Sequence, residues 1–248
     1  MISIKSPREI EYMRAAGKIV AETHERLREV IKPGITTHEL DMIAERYINE
    51  CGGIPAFKGY GGFPASICAS INHEVVHGIP GPTTLKEGDI IGIDIGAIYK
   101  GYYGDAARTY GIGKISEVAE KLIRVTQESF FVGMEKAVEG NRLSDISHAV
   151  QVHVEKNGFS VVRDFVGHGI GTKMHEEPQI PNYGLPHRGP RLVSGMTIAV
   201  EPMVNQGSYK VKVLSNGWTV VTIDGSLSAH YENTLLITKE APELLTLL

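Results

Sequence analysis

The sequence predicts an α+β chain made of two related α/β halves, each with helices outside and a sheet inside. Three observations carry that prediction. Two helix-forming stretches open the chain, and two more follow residue 115. Strand-rich sequence with tight turns follows each pair, in keeping with the 28 Gly and 12 Pro. A weak internal repeat then relates the halves. A shift of 106 residues sets Gly34 on Gly140, Leu40 on Ile146, Ile48 on Val154 and Gly52 on Gly158. A shift of 107 lays "IIGIDIGA" on "TIAVEPMV" and Asp94 on Glu201. Acids at matched places would face each other across a pseudo-two-fold. No linker or low-complexity tract intervenes, so residues 1–248 are expected to form a single catalytic domain with halves at about 1–112 and 113–248.

In order along the chain, "SPREIEYMRAAGKIVAETHERLREVI" has Ser6 as N-cap, Pro7 at the first helical position and Glu9 closing a capping box. Ile10, Met13, Ile19 and Leu27 share its apolar stripe, and "KPG" ends it. Thr36 and Glu39 form a second capping box, and the helix they open runs to the glycines of "NECGG". Strand-like segments fill 54–110, with turns at "GYGG", "GIPGP" and "KEGD". Residues 116–138 read as a long helix and 143–157 as a shorter one ending at Gly158. "VKVLSNGWTVVTI" predicts a hairpin turning at Asn216-Gly217, and "HYENTLLIT" a last strand.

Composition bounds the function. A net charge of −4 disfavours a nucleic-acid binder that relies on bulk positive charge. Two cysteines, Cys51 and Cys68, imply no disulfide framework and fit a reducing compartment. The start "MISIKSPREIEYMRAAG" lacks the apolar stretch of a signal peptide, and no run approaches roughly 18 apolar residues. A cytoplasmic protein without membrane contact is expected. No exposed apolar repeat requires an obligate assembly, so a monomer is expected too.

Five residues share one property: each is a metal-ligand type in an apolar or Gly-rich setting. They are Asp94 in "GIDIG", Asp105 in "YGDAAR", His168 in "FVGHGIG", Glu201 in "IAVEPMV" and Glu232 in "HYENTLLI". Singly, most read as turn, cap or surface residues. Asp94 is the exception, because an unpaired carboxylate between buried neighbours is costly. Together they form a hard, oxygen-rich donor set suited to divalent Mn, Fe(II), Co or Zn. Two cations would remove the repulsion among four converging acids. "HEVVH", with His73, Glu74 and His77, matches the zincin pattern in letters only, since strand-like sequence precedes it and Pro80 and Pro82 follow. His77 and His175 each stand beside a Gly- or Pro-rich turn, where binding loops often occur.

The segments "SINHEVVHGIP", "GDIIGIDIGAIYKGYYGDAARTY", "VGHGIGTKMHEEPQIPNY", "GMTIAVEPMV" and "SAHYENTLLIT" resemble, in this order, the type I methionine aminopeptidases of the short bacterial form. The resemblance covers essentially the whole chain. It implies the pita-bread fold, in which helices lie outside a curved antiparallel sheet. It implies two divalent metal ions on Asp94, Asp105, His168, Glu201 and Glu232, with Asp105 and Glu232 bridging both. It further implies removal of the N-terminal methionine through a hydroxide shared by the ions, with Glu201 as general base. His175 would face the substrate carbonyl, and His77 the scissile amide. Phe57, Tyr60, Phe63, Cys68 and Trp218 would complete an apolar pocket around the methionine thioether. The implied partners are N-terminal Met residues of peptides and nascent chains, with transient ribosome association. Two competing readings are a proline-specific aminopeptidase or dipeptidase of the same fold, and a binding protein of this fold that has lost its metals. The first is disfavoured because the first half-repeat begins almost at residue 1, the second because all five ligand types are present.

Overall fold

The computed structural model describes residues 2–248. Among these, four α-helices are formed: α1 (Pro7–Val30), α2 (Thr37–Glu50), α3 (Glu117–Met134) and α4 (Leu143–Lys156). Their starts follow from local chemistry. The Glu9 carboxylate accepts from the Ser6 backbone N–H at 2.7 Å and from its hydroxyl at 2.6 Å. At α2 the box is reciprocal: Thr36 N–H donates to Glu39 at 2.8 Å, and Glu39 N–H donates to the Thr36 hydroxyl at 3.1 Å. The third helix stops at Met134, short of the expected residue 138. There the chain tightens into i→i+3 bonds, Lys136 N–H to Gly133 O and Ala137 N–H to Met134 O, before turning at Gly140 with φ 90°.

The strands pair antiparallel throughout the described ladders, but in four ladders rather than one unbroken sheet. The first is centred on the hairpin Ile90–Tyr99/Tyr102–Gly111, flanked by Ile67–Ile71. The second joins Gly167–Gly169, Glu176–Ile180, Thr197–Val200 and Asn233–Leu236. The smaller two pair Met203–Asn205 with Ser228–His230, and Val220–Thr222 with both Val211–Val213 and Glu74–Val76. Glu74–Val76 of the "HEVVH" segment are therefore strand, with His73 in the turn before them, and no helix forms there. The 211–222 hairpin forms as well, but closes through a longer loop, with Leu214 N–H donating to Thr219 O. The expected last strand is interrupted at Tyr231-Glu232.

Each helix pair covers one main ladder. Leu27, Leu40 and Ile48 pack on Ile91, Ile93 and Ile95, all fully buried. Phe130 and Ile146 pack on Ile198, Val200 and Leu235. Burial of each such side chain contributes about 1.5–3 kcal/mol. Between the two ladders runs a seam. Ala107 and Glu232 exchange backbone bonds of 3.3 and 2.9 Å. On one side the Thr234 hydroxyl donates to Asp105 O at 2.9 Å and accepts from Asp105 N–H at 3.1 Å. On the other, the Thr109 hydroxyl does the same for His230, both at 2.9 Å. The three contacts keep one antiparallel register, with threonine hydroxyls standing in for direct ladder bonds at its ends. The Arg108 guanidinium reinforces the seam by donating to Ala107 O, Glu232 O and Asn233 Oδ1.

Candidate metal centre

The first two acids come from the hairpin. Its register pairs Asp94 with Ala107, and Gly96 with Asp105. Paired residues share a face, as do alternate residues along a strand. Asp94 and Asp105 are thus diagonal neighbours on one face, while Ile93 and Ile95 point the other way into the helix-covered core. Cys68 pairs with Asp94 and joins that face. The reversal at Lys100 (φ 48°) and Gly101 (φ 83°) is a two-residue turn with both residues left-handed, which fixes this register.

The other three ligands come from the second ladder. His168 pairs with Ala199, and Thr234 pairs with Ala199 on the other side, so all three share a face. Glycines flank His168 for a physical reason. A Cβ at Gly167 would lie 2.3 Å from Ala199 O, and one at Gly169 would lie 2.2 Å from Glu177 O. Glu201-Pro202 and Tyr231-Glu232 stand opposite one another where both strands break. Asn182 donates to Glu201 O at 2.9 Å and steadies the first break. The second lies in the seam, so Glu232 is brought against Asp105 by backbone pairing.

The side chains converge. His168 Nε2 lies 3.8 Å from Asp105 Oδ2 and 3.6 Å from Glu201 Oε1. Ligand atoms of Asp105, His168 and Glu232 lie within 4.8 Å of one another, and those of Glu201, His230 and Glu232 do so as well. His168 Nδ1–H donates to Gly169 O at 2.9 Å, which leaves the Nε2 lone pair facing the acids. Asp94 Oδ1, Asp105 Oδ1 and Glu232 Oε1 are buried without a hydrogen-bond partner. Burial pushes the Asp94 carboxyl up to about 7 and Glu201 up to about 8. Burial, then the Asp94 charge, raises Asp105 well above the carboxylate range; burial, then Asp105, does the same to Glu232. Burial also lowers His168 to about 4, so it stays neutral. Orphaned carboxylate oxygens around a neutral imidazole are what a divalent cation satisfies, and the residues fit such an ion.

Above the acids lies a cavity of about 170 Å³. Phe57, Tyr60, Phe63, Cys68, His77, His175 and Trp218 all line it, together with Asp94, Asp105, His168, Glu201 and Glu232. The structure therefore gathers the five ligand candidates, both histidines and the five pocket residues, while His73 and Glu74 line a different cavity. Phe63 and Trp218 meet edge to face at 5.1 Å. The Tyr60 hydroxyl and His175 Nδ1 share a 2.7 Å hydrogen bond, and the His175 ring lies 4.4 Å from that of His168. Burial lowers the pKa of both His175 and His77, the latter to about 4. His77 adopts φ 59°, the left-handed region unusual for a side-chain-bearing residue. The next position has room only for glycine: a Cβ at Gly78 would lie 2.2 Å from Ala69 O.

Residues 11–239 match the model of metallopeptidase family M24. The chain belongs to metallopeptidase family M24. A methionine aminopeptidase of Clostridium acetobutylicum is 64% identical over 248 residues, covering 100% of this chain and 99% of that protein. Methionine aminopeptidase 1 of Bacillus subtilis is 58% identical, with 99% of each covered. The crystal structure of methionine aminopeptidase from Thermotoga maritima superposes with a TM-score of 0.99 at 48% identity, covering all of both chains. The fold is thus the pita-bread α+β fold. A prolidase from Pyrococcus furiosus shares that fold alone, at TM-score 0.81 and 24% identity, with 65% of its chain covered.

Membership in a metallopeptidase family implies a divalent metal, and the donor set supplies its place. Two residues at the site went unread in the sequence. Met174 lines the cavity. His230 is 3% exposed, with Nε2 3.6 Å from Glu201 Oε2 and 3.9 Å from Glu232 Oε2. A signal was present, because His230, Glu232 and Thr234 alternate along one strand-like run. Thr234 and Thr109 are further supports, visible only once the seam exists.

Proposed function

We propose that this chain removes the N-terminal methionine from peptides and nascent chains. The observation that carries the reading is the small apolar cavity ending on a floor of four carboxylates and His168. A free terminus with one flexible thioether side chain fills such a space, whereas an internal residue would have to thread a second chain segment through it. The full-length relatives named methionine aminopeptidase, at 58% and 64% identity, support the same substrate.

Asp94, Asp105, His168, Glu201 and Glu232 would hold two divalent ions, of Mn, Fe(II), Co or Zn. When bound, such ions acidify water and polarise a carbonyl. The protein's own residues then divide the remaining work. Glu201 takes up the proton of the attacking water as general base. His175, oriented by the Tyr60 hydroxyl, donates to the substrate carbonyl oxygen as it gains charge. His77, neutral through burial, faces the scissile amide from its strained turn. Phe57, Phe63, Cys68, Met174 and Trp218 enclose the thioether. Burial raises the Cys68 thiol well above its usual range, so it packs and does not attack. The chain acts as one catalytic unit whose halves each bring acids to the seam. Nascent chains as substrates fit a cytoplasmic protein in transient contact with the ribosome.

The test is release of the first residue from Met-Gly-Met-Met, the same peptide with norleucine first, its N-acetylated form, and Xaa-Pro peptides. The reading expects cleavage of the first two only. An apolar pocket separates near-isosteres by about 1–3 kcal/mol, so norleucine is accepted. Preferential cleavage of Xaa-Pro would overturn it in favour of the proline-specific alternative.

A further inference from the structure

Two imidazoles flank Glu201, one on each carboxylate oxygen. His168 Nε2 faces Oε1 at 3.6 Å, and His230 Nε2 faces Oε2 at 3.6 Å. Distance alone would let both rings ligate ions. Their other nitrogens differ. His168 Nδ1 is committed to Gly169 O, which leaves a bare lone pair on Nε2. His230 Nδ1 has no protein acceptor among the described residues, while Nε2 is fully enclosed, lacks a partner and faces oxygens of two carboxylates. With ions bound, Glu201 and Glu232 are ionised and only accept, so the proton of this ring then belongs on Nε2. The strand carrying the ring is fixed, because the Thr109 hydroxyl bonds both the backbone N–H and C=O of His230.

We propose that His230 is a positioning residue: its Nε2–H holds the Oε2 side of Glu201 and aims the other oxygen at the reacting water. This rests on the reading of Glu201 as general base. It separates the two histidines by role, His168 as ligand and His230 as donor to a ligand. Partners of this kind typically change affinity or activity about 10- to 100-fold when lost.

The test compares wild type with His230→Leu, which has no donor, and His230→Gln, whose amide donates from nearly the same place. Each is loaded with Mn(II) for ion content, kcat and KM on Met-Gly-Met-Met. Each is then loaded with Co(II) for NMR of imidazole N–H signals shifted by the ion. Expected are equal ion content, a kcat about 10- to 100-fold lower in His230→Leu with KM little changed, and recovery of most of that loss in His230→Gln. The strongly contact-shifted N–H signals of ligated imidazoles should be the same in all three, because a donor outside the coordination sphere has no bond to the ion. Should the leucine disturb folding, His230→Asn, whose amide falls short of Glu201, takes its place. The proposal is overturned if the donor-less variant matches wild type, if the glutamine is no better than the leucine, or if both variants lose a shifted imidazole signal, which would make His230 a ligand. An inactive wild type would instead sink the aminopeptidase reading, and the Co(II) spectra would still decide the role of His230.

Discussion

The two halves deliver their acids by opposite means. Asp94 and Asp105 sit in an unbroken hairpin of two ten-residue strands whose register alone makes them neighbours. Glu201 and Glu232 sit where strands stop, at facing breaks in a ladder that resumes on either side. A regular strand places a carboxylate by alternation, at the cost of keeping it among core residues. A break frees a carboxylate to leave the sheet plane, and then something else must hold it. Here the seam holds Glu232, through Ala107, Thr234 and Arg108, and Asn182 holds the backbone of Glu201.

The largest effects should come from the acids nearest the seam. Asp105→Asn and Glu232→Gln are each expected to lower methionine release by about three orders of magnitude or more and to reduce bound metal. Full metal content in Asp105→Asn would remove the hairpin from the ligand set. Next comes pH. In the metal-free protein burial holds Asp94 near 7 and Glu201 near 8, above their unfolded values. Such groups stabilise the fold fully below about pH 4, and that stability is lost as pH rises through 7 to 8. Ions bind the ionised forms, so Mn(II) affinity runs the other way and rises with pH. The Tm of chelated protein should fall between pH 5 and 8 while the Tm gain from Mn(II) widens. A gain independent of pH would mean that the acids are already ionised without metal.

Thr234→Val and Thr109→Val then compare the two ends of the seam. Each strands a backbone N–H and C=O and should cost about 1–3 kcal/mol in chemical denaturation. Only Thr234→Val, which releases Asp105, should also weaken metal binding. Gly96→Ala tests the hairpin's open face. A Cβ there would lie 2.7 Å from Phe57 Cε1 and 3.0 Å from Met174 Cε, so KM should rise about tenfold with metal content intact. The smallest effect belongs to Lys100→Gly at the left-handed turn. It should stabilise the hairpin by up to about 1 kcal/mol and leave catalysis unchanged.

Local chemistry alone determined a good deal. Capping boxes at Ser6 and Thr36 set the helix starts, and the 54–110 run showed its strand-like segments. The five ligand types showed as polar residues in apolar or glycine-rich surroundings, because burial of a charge leaves a visible misfit in sequence. The stop of α3 at Met134, the break at Glu232 and the bonding roles of Thr109 and Thr234 left no such mark, and His230 showed only through its alternation with Glu232. Threonine and histidine are ordinary in strands, and the partners of the two threonines lie more than 100 residues away. Sequence specified which donors exist and which strand faces carry them. Only the tertiary structure decided which donors meet, because that depends on a seam register shared by two distant strands, a non-local pairing that no local pattern encodes.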